Sequence, residues 1–367
     1  MSFFCLTQNK DTRKLSLKRY FNIISAVALA TAFSIFPTLT SEGAKISRGP
    51  VQELAGPGGR DYQHRGFNYW EAGIRPHERY LVFEPAEPMP SSAGFVLFIH
   101  DYMFPSPKHY IGQIRHLCQK GWIVVFPFYA GTDQPTKHHM FNVIRSVKDY
   151  LQQSFLKDKI KTDTNKFAIL GHGSGAVLAA NTAACYDYFG LPVPKVLVIS
   201  MPDSTHSNIL DLSGISRETR MAVISGDRLN SSDAKMARDI FYTADRVKTV
   251  NKIFVIVQSD YFGQPPLLGD KSSGLSPENP KSEKFAVRKH NEFLQSFNSK
   301  FFAPYLRADD IENFDWRITY RVFDMLGIAA FTLNSNLNPM KKSEELRSMG
   351  YWSNGRRVRP LIITDRP

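Results

Sequence analysis

Lys166-Phe-Ala-Ile-Leu-Gly-His-Gly-Ser-Gly-Ala176 decides how the rest of this chain is read. Its first half is a short apolar strand, its second half a glycine-rich turn. The run Val177-Leu-Ala-Ala-Asn-Thr-Ala-Ala-Cys185 that follows has the alanine and leucine content of a buried helix. Strand, sharp turn and helix together are the setting of a nucleophile elbow. Such a turn is written small-x-nucleophile-x-small, because side chains two positions either side of the nucleophile would collide with backbone. Gly171 and Gly175 are the small residues here, and midway between them stands Gly173, which has no side chain to attack with. A serine, Ser174, lies one place further on. The frame of the elbow is present and its reagent is displaced or missing.

Working outward, apolar runs at residues 80–84, 94–100, 122–127, 195–200, 220–225 and 252–257 read as strands, several of them apolar on both faces as interior strands of a parallel sheet are. Helical patterns lie between them. Tyr110, Ile111, Ile114 and Leu117 form one stripe, stopped by Gly121, and Met140, Phe141, Ile144, Val147, Tyr150 and Leu151 form another. A further helix is predicted over 232–242. This alternation predicts an α/β fold: a doubly wound, mainly parallel sheet flanked by helices, with right-handed crossovers. Residues 46–79 are polar and glycine-rich, and residues 263–283 read as a long loop of the kind that carries function. Helices are expected over 282–302 and 316–333, followed by the short apolar run Leu361-Ile-Ile363. With no internal repeat and no second core, residues 45–367 read as a single domain.

Composition narrows the function classes. Of 367 residues, 43% are hydrophobic and 22% charged, which is a globular protein with a large core and not a disordered one. The net charge of +12 raises the question of nucleic acid, but the 46 Lys and Arg are scattered and no recognition motif accompanies them, so no nucleic-acid partner is expected. Residues 1–44 carry an address instead. Lys10, Arg13, Lys14, Lys18 and Arg19 precede an apolar run from Phe21 to Phe36, the order of a signal peptide or signal anchor. Export, with the bulk of the protein beyond a membrane or held at it by this segment, is the expected localisation. His138 and His139 are adjacent and point apart on a helix, so they offer no zinc face, and neither a phosphate-binding loop nor a dinucleotide fingerprint occurs. No metal and no cofactor are expected.

Taken together, the elbow, the strand ending in His100 and the two later strands resemble the α/β-hydrolase superfamily over most of residues 57–365. Pro57-Gly-Gly-Arg-Asp-Tyr-Gln-His64, Ser259-Asp-Tyr-Phe-Gly-Gln-Pro265 and Gly350-Tyr-Trp-Ser-Asn-Gly355 are similar to bacterial dienelactone-hydrolase- or chlorophyllase-like members. The resemblance implies carboxylic-ester hydrolysis by a nucleophile, a histidine, an acid and two backbone N–H groups for the oxyanion. It also implies that the helices holding Cys118 and Cys185 lie on opposite faces of the sheet, so that these two do not pair.

Each catalytic part departs from the family pattern. The nucleophile position is Gly173. Three places after Gly226, where the acid belongs, stands Leu229, with Asp227 and Asp233 as the nearest carboxylates. No histidine occurs from Gln258 through Lys289; Phe262 and Lys271 occupy places where one would be expected, and His290 is the only histidine after the acid region. Asp101 replaces the glycine that follows the strand-end histidine, and a carboxylate there would repel a developing oxyanion. Three readings stay open. In the first, this is an exported hydrolase-fold protein with impaired or lost catalysis, whose pocket, with His100, Tyr102, His172 and Phe262 near its mouth, binds an apolar ester or lipid-like molecule. In the second it is a working esterase that uses Ser174, Asp227 and His290. In the third it is a non-enzymatic partner-binding protein at a membrane surface.

Overall fold

Among the described residues the sheet has nine strands, in the order β1 (Arg65–Ala72), β2 (Tyr80–Glu87), β4 (Ile123–Pro127), β3 (Ser92–Ile99), β5 (Lys161–His172), β6 (Val196–Ser200), β7 (Arg220–Gly226), β8 (Lys252–Val257), β9 (Ile362–Thr364). The structure is a computed structural model and describes residues 48–131, 133–156, 160–264, 266–277 and 315–367. The predicted segments 1–44 and 282–302, and His290 with them, lie outside the described residues.

Six strands run parallel. β3 (Ser92–Ile99), β4 (Ile123–Pro127), β5 (Lys161–His172), β6 (Val196–Ser200), β7 (Arg220–Gly226) and β8 (Lys252–Val257) carry the apolar runs read from the sequence. Their side chains alternate between two cores. Val96, Phe98, Leu170 and Val198 face α1 (Ile111–Gln119) and α5 (Arg321–Gly327), while Phe95, Leu97, Ile169 and Ile199 face α2 (His139–Leu156), α3 (Ser174–Ala184) and α4 (Ser231–Thr243). A strand covered on both faces needs apolar residues at every position, which is why these runs are continuous and not alternating. Cys118 is in the first core and Cys185 caps the end of α3; both are free thiols.

Antiparallel edges complete the sheet, and the sequence reading missed two of them. β1 (Arg65–Ala72) pairs with β2 (Tyr80–Glu87) in the register Trp70↔Val82, within the stretch read as polar and glycine-rich. Its residues alternate between half-buried and exposed around Arg, Asn and Glu, so its strand character comes from the partner and not from its own hydrophobicity. β9 (Ile362–Thr364) adds to β8 through Val255↔Ile363; three residues are too few to announce a strand. The predicted helix over 316–333 is α5 flanked by π-helical turns at Trp316–Tyr320 and Ile328–Thr332. Arg317 and Arg321 from this segment are buried and both pair with Glu53.

Helix α3 sits unusually close to the sheet, and two glycines allow it. A Cβ on Gly175 would fall 2.7 Å from the carbonyl carbon of Ile99 and closer still to the carbonyl oxygens of Ile99 and His100. One on Gly171 would fall 2.7 Å from Ala176 Cα. Ala would raise helix propensity at 175 by about 1 kcal/mol, but the colliding atoms are backbone and cannot rotate away. Gly175→Ala is therefore expected to destabilise the protein by about 1–3 kcal/mol in a denaturant titration, with the far-ultraviolet spectrum of the folded state retained.

Candidate functional site

The strand C-termini converge on the elbow. Gly173 has φ 59° and ψ −126°, a region that L side chains rarely adopt, and it caps the start of α3. Its N–H donates to the Ser200 carbonyl at 3.0 Å, so the turn is anchored to the neighbouring strand. The position midway between the two small residues is thus the one that carries the backbone strain of an elbow, and the helix begins at Ser174, three residues earlier than its alanine run suggested.

The space above Gly173 is occupied. Asp101, which follows β3, turns its carboxylate to where a side chain on residue 173 would stand: a Cβ built there lies 2.8 Å from Asp101 Cβ and nearer to its Oδ2. Hydrogen bonds hold it in place. Oδ1 accepts from Ser174 Oγ at 3.2 Å and from the Met103 N–H at 3.2 Å. The Tyr102 N–H donates to Ser174 Oγ at 2.8 Å, and the Asp101 N–H donates to Tyr110 Oη at 2.9 Å. Three successive N–H groups of the loop after β3, the loop that supplies an oxyanion donor in an elbow of this kind, are therefore bonded internally. Asp101 and Ser174 are each 1% exposed.

Beneath this layer lies a buried relay. Tyr110 Oη lies 3.0 Å from His172 Nδ1, and His172 Nε2 lies 2.8 Å from the Lys271 carbonyl. The carbonyl can only accept, which assigns the proton to Nε2 and leaves Nδ1 to accept from the tyrosine. Desolvation pulls the His172 pKa below its ordinary value, consistent with a neutral ring. His100 is stacked between Phe126 and Tyr129 at 5.2 and 4.5 Å, bonded through Nδ1 to the Asp101 carbonyl, and burial pushes its pKa down to about 3.

The loop after β8, where a catalytic histidine would be expected, brings in a lysine. Lys271 Nζ lies 2.5 Å from Asp203 and 3.0 Å from Asp233. Burial opposes ionisation of both partners of the first pair, but the bond wins: it holds Asp203 below and Lys271 above their ordinary pKa values. Asp233 also accepts from the N–H and hydroxyl of Ser204, both at 2.8 Å. A cavity of about 380 Å³ opens here, lined among others by Asp101, Met103, Phe104, Leu229, Asp233 and Lys271.

The residues singled out from the sequence are not assembled into a triad among the described residues. Ser174 is buried against Asp101. Asp227 accepts from the N–H and hydroxyl of Ser259, at 2.8 and 2.5 Å, and so ties the loops after β7 and β8 together. His290 lies outside the described residues. His100 and His172 are fully buried and do not line the cavity; His172 is bonded through both ring nitrogens and His100 through Nδ1. Tyr102 stacks on His206 at 4.5 Å, and Phe262 lies under the Arg356 guanidinium at 4.3 Å; neither lines the cavity. The residues that do converge, Asp101 and Lys271, were noticed in the sequence as departures from a pattern. Asp203 carried no signal at all.

Gly173→Ser and Asp101→Ala are each expected to destabilise the protein, the first through backbone strain of about 1–3 kcal/mol plus overlap with Asp101, the second by leaving donors unpaired. Removing the carboxylate relieves the overlap, so the double variant should be more stable than the sum of the singles by about 1 kcal/mol or more in denaturant titrations. Additivity would place the carboxylate elsewhere.

Comparison with known proteins bears on this geometry. Residues 71–202 match the family model described as Chlorophyllase, from β1 through the elbow to the end of β6. Among solved structures the chain is similar to a hyperthermophilic esterase from the archaeon Pyrobaculum calidifontis, at 15% identity over 54% of this chain and 75% of that one, with a TM-score of 0.42. It is also similar to a fungal esterase from Rhizomucor miehei, at 11% identity over 68% of this chain and 83% of that one, with a TM-score of 0.41. No curated protein sequence matches it. The strand order with its antiparallel edges, the elbow after β5 and the family match over that same region support assignment of the fold to the α/β-hydrolase superfamily.

Proposed function

We propose that this protein descends from carboxylic-ester hydrolases, no longer carries out acyl transfer at its elbow, and uses the cavity at the strand C-termini to bind a small molecule. The observation that carries this reading is the Asp101 carboxylate standing over Gly173. Acyl transfer needs a lone pair aimed at a carbonyl, a base to take the nucleophile's proton, and donors aimed at the oxyanion. Residue 173 has no heteroatom. The donors of the loop after β3 are bonded to Tyr110, Ser174 and Asp101, and a carboxylate beside them repels negative charge. Lys271, with its ammonium between two aspartates and its pKa raised, is charged at neutral pH and takes no proton.

A working esterase that uses Ser174 is the rival. Its hydroxyl hydrogen bonds to Asp101, its oxygen accepts from Tyr102, and its side chain is not part of the cavity wall. The expected result is that purified protein hydrolyses p-nitrophenyl butyrate no faster than the Ser174→Ala variant. Turnover that Ser174→Ala abolishes would restore the rival.

We also propose that the protein is exported. The support is the basic-then-apolar order of residues 10–36; that segment lies outside the described residues, and among the described residues no helix is long and apolar enough to cross a membrane. N-terminal sequencing of the protein recovered from a membrane-bounded expression host tests this. Cleavage near residue 44 or retention in the membrane fraction is expected, and an intact, freely soluble chain in the cytosol would contradict it.

A further inference from the structure

Among the described residues Asp101 Oδ2 has no hydrogen-bond partner, although the side chain is 1% exposed. An unpaired carboxylate oxygen at that depth is costly, and in a binding protein the missing partner is commonly supplied by the ligand. The residue lies in the wall of the cavity, which also presents Met103, Phe104 and Leu229 as an apolar surface.

Charge specifies the partner further. Four aspartates, 101, 203, 233 and 270, line the cavity against two basic residues, Arg228 and Lys271, a formal balance of −2 in a chain whose overall charge is +12. One ammonium is already accommodated: Lys271 Nζ sits between Asp203 and Asp233. Arg228 is held outward, its Nη1 donating to Tyr261 Oη at 2.7 Å. Among the described residues Asp101 Oδ2 is left as a buried acceptor with no donor, while Oδ1 accepts from Ser174 and Met103. A carbonyl or carboxylate ligand has only lone pairs to offer this surface, and so is disfavoured.

We propose that the cavity binds a small amphipathic cation: a primary ammonium head group donating to Asp101 Oδ2, with a short apolar chain against Met103, Phe104 and Leu229. This rests on the non-hydrolytic reading of the elbow and names its ligand class. A cavity of about 380 Å³ matches a molecule of a few carbons up to modest drug size. No bond is made or broken; the ligand completes the hydrogen bonding of a carboxylate that the fold leaves half-paired.

Calorimetric titration of the full chain with n-butylammonium, and with butyrate and 1-butanol as controls of equal size, tests it. Butylammonium should saturate, binding about tenfold or more tighter than either control. Asp101→Asn keeps the shape and the Oδ1 contacts but lowers the charge, and should weaken binding about tenfold. Arg228→Gln, at an exposed position, makes the cavity more negative and should tighten binding about two- to threefold. Equal affinities for the three probes, no saturation by butylammonium, or indifference to Arg228→Gln would overturn the proposal; if Asp101→Asn does not fold, the Arg228 variant decides. Ester turnover is measured on the same samples. Turnover would remove the non-hydrolytic reading and leave the cation site to the titrations, whereas neither turnover nor binding would remove the cation site alone.

Discussion

A side chain on residue 173 and the carboxylate of Asp101 cannot occupy the same space, and most of the site follows from that exclusion. With glycine at the strained turn, Asp101 can move in over it; once there, it draws the Ser174 hydroxyl and the Met103 N–H to Oδ1. The Tyr102 N–H is then taken by Ser174, and the Asp101 N–H by Tyr110, which passes its own proton toward His172. The N–H groups of Asp101, Tyr102 and Met103 in the loop after β3 are all bonded within this network. The fold keeps the elbow's backbone because α3 needs it to approach the sheet, whatever chemistry is performed there.

The second constraint is the ammonium of Lys271. Asp203 lies in the loop after β6 and Asp233 in the first turn of α4, and without a cation between them they would repel across a largely buried gap. The linkage has a definite sign. Asp203 is depressed, so its contribution is present above the ordinary carboxylate range and lost as pH falls through its folded value. Lys271 is raised, so its contribution is present below the ordinary lysine range and lost only as pH rises through its folded value. The bridge is thus intact across neutral pH. It also closes over the relay, since the Lys271 carbonyl accepts from His172.

The parallel strands were legible because burial on both faces demands continuous apolar runs, and the elbow because its glycines are required by close approach. β1 was not, since its half-exposed alternation acquires strand geometry from β2. β9 was too short to show a pattern. At the site, the departures at the nucleophile, acid and histidine positions could be read against the family pattern. What stands over Gly173 and beside Asp203 could not, because Asp101 meeting Gly173 and Lys271 meeting Asp203 are contacts between residues about 70 positions apart. The histidines misled for a related reason. Near strand ends they look like site residues, but His100 and His172 are buried and neutral, bonded to backbone carbonyls that no sequence pattern announces.

The most direct measurement is intact-mass and peptide-level mass spectrometry of the native chain after exposure to an alkyl fluorophosphonate, which phosphonylates an activated serine. If the Asp101 carboxylate closes the elbow, no adduct forms on Ser174 under conditions that fully label an active serine esterase. Stoichiometric labelling of Ser174 in the folded protein would show an open, activated hydroxyl and contradict the account.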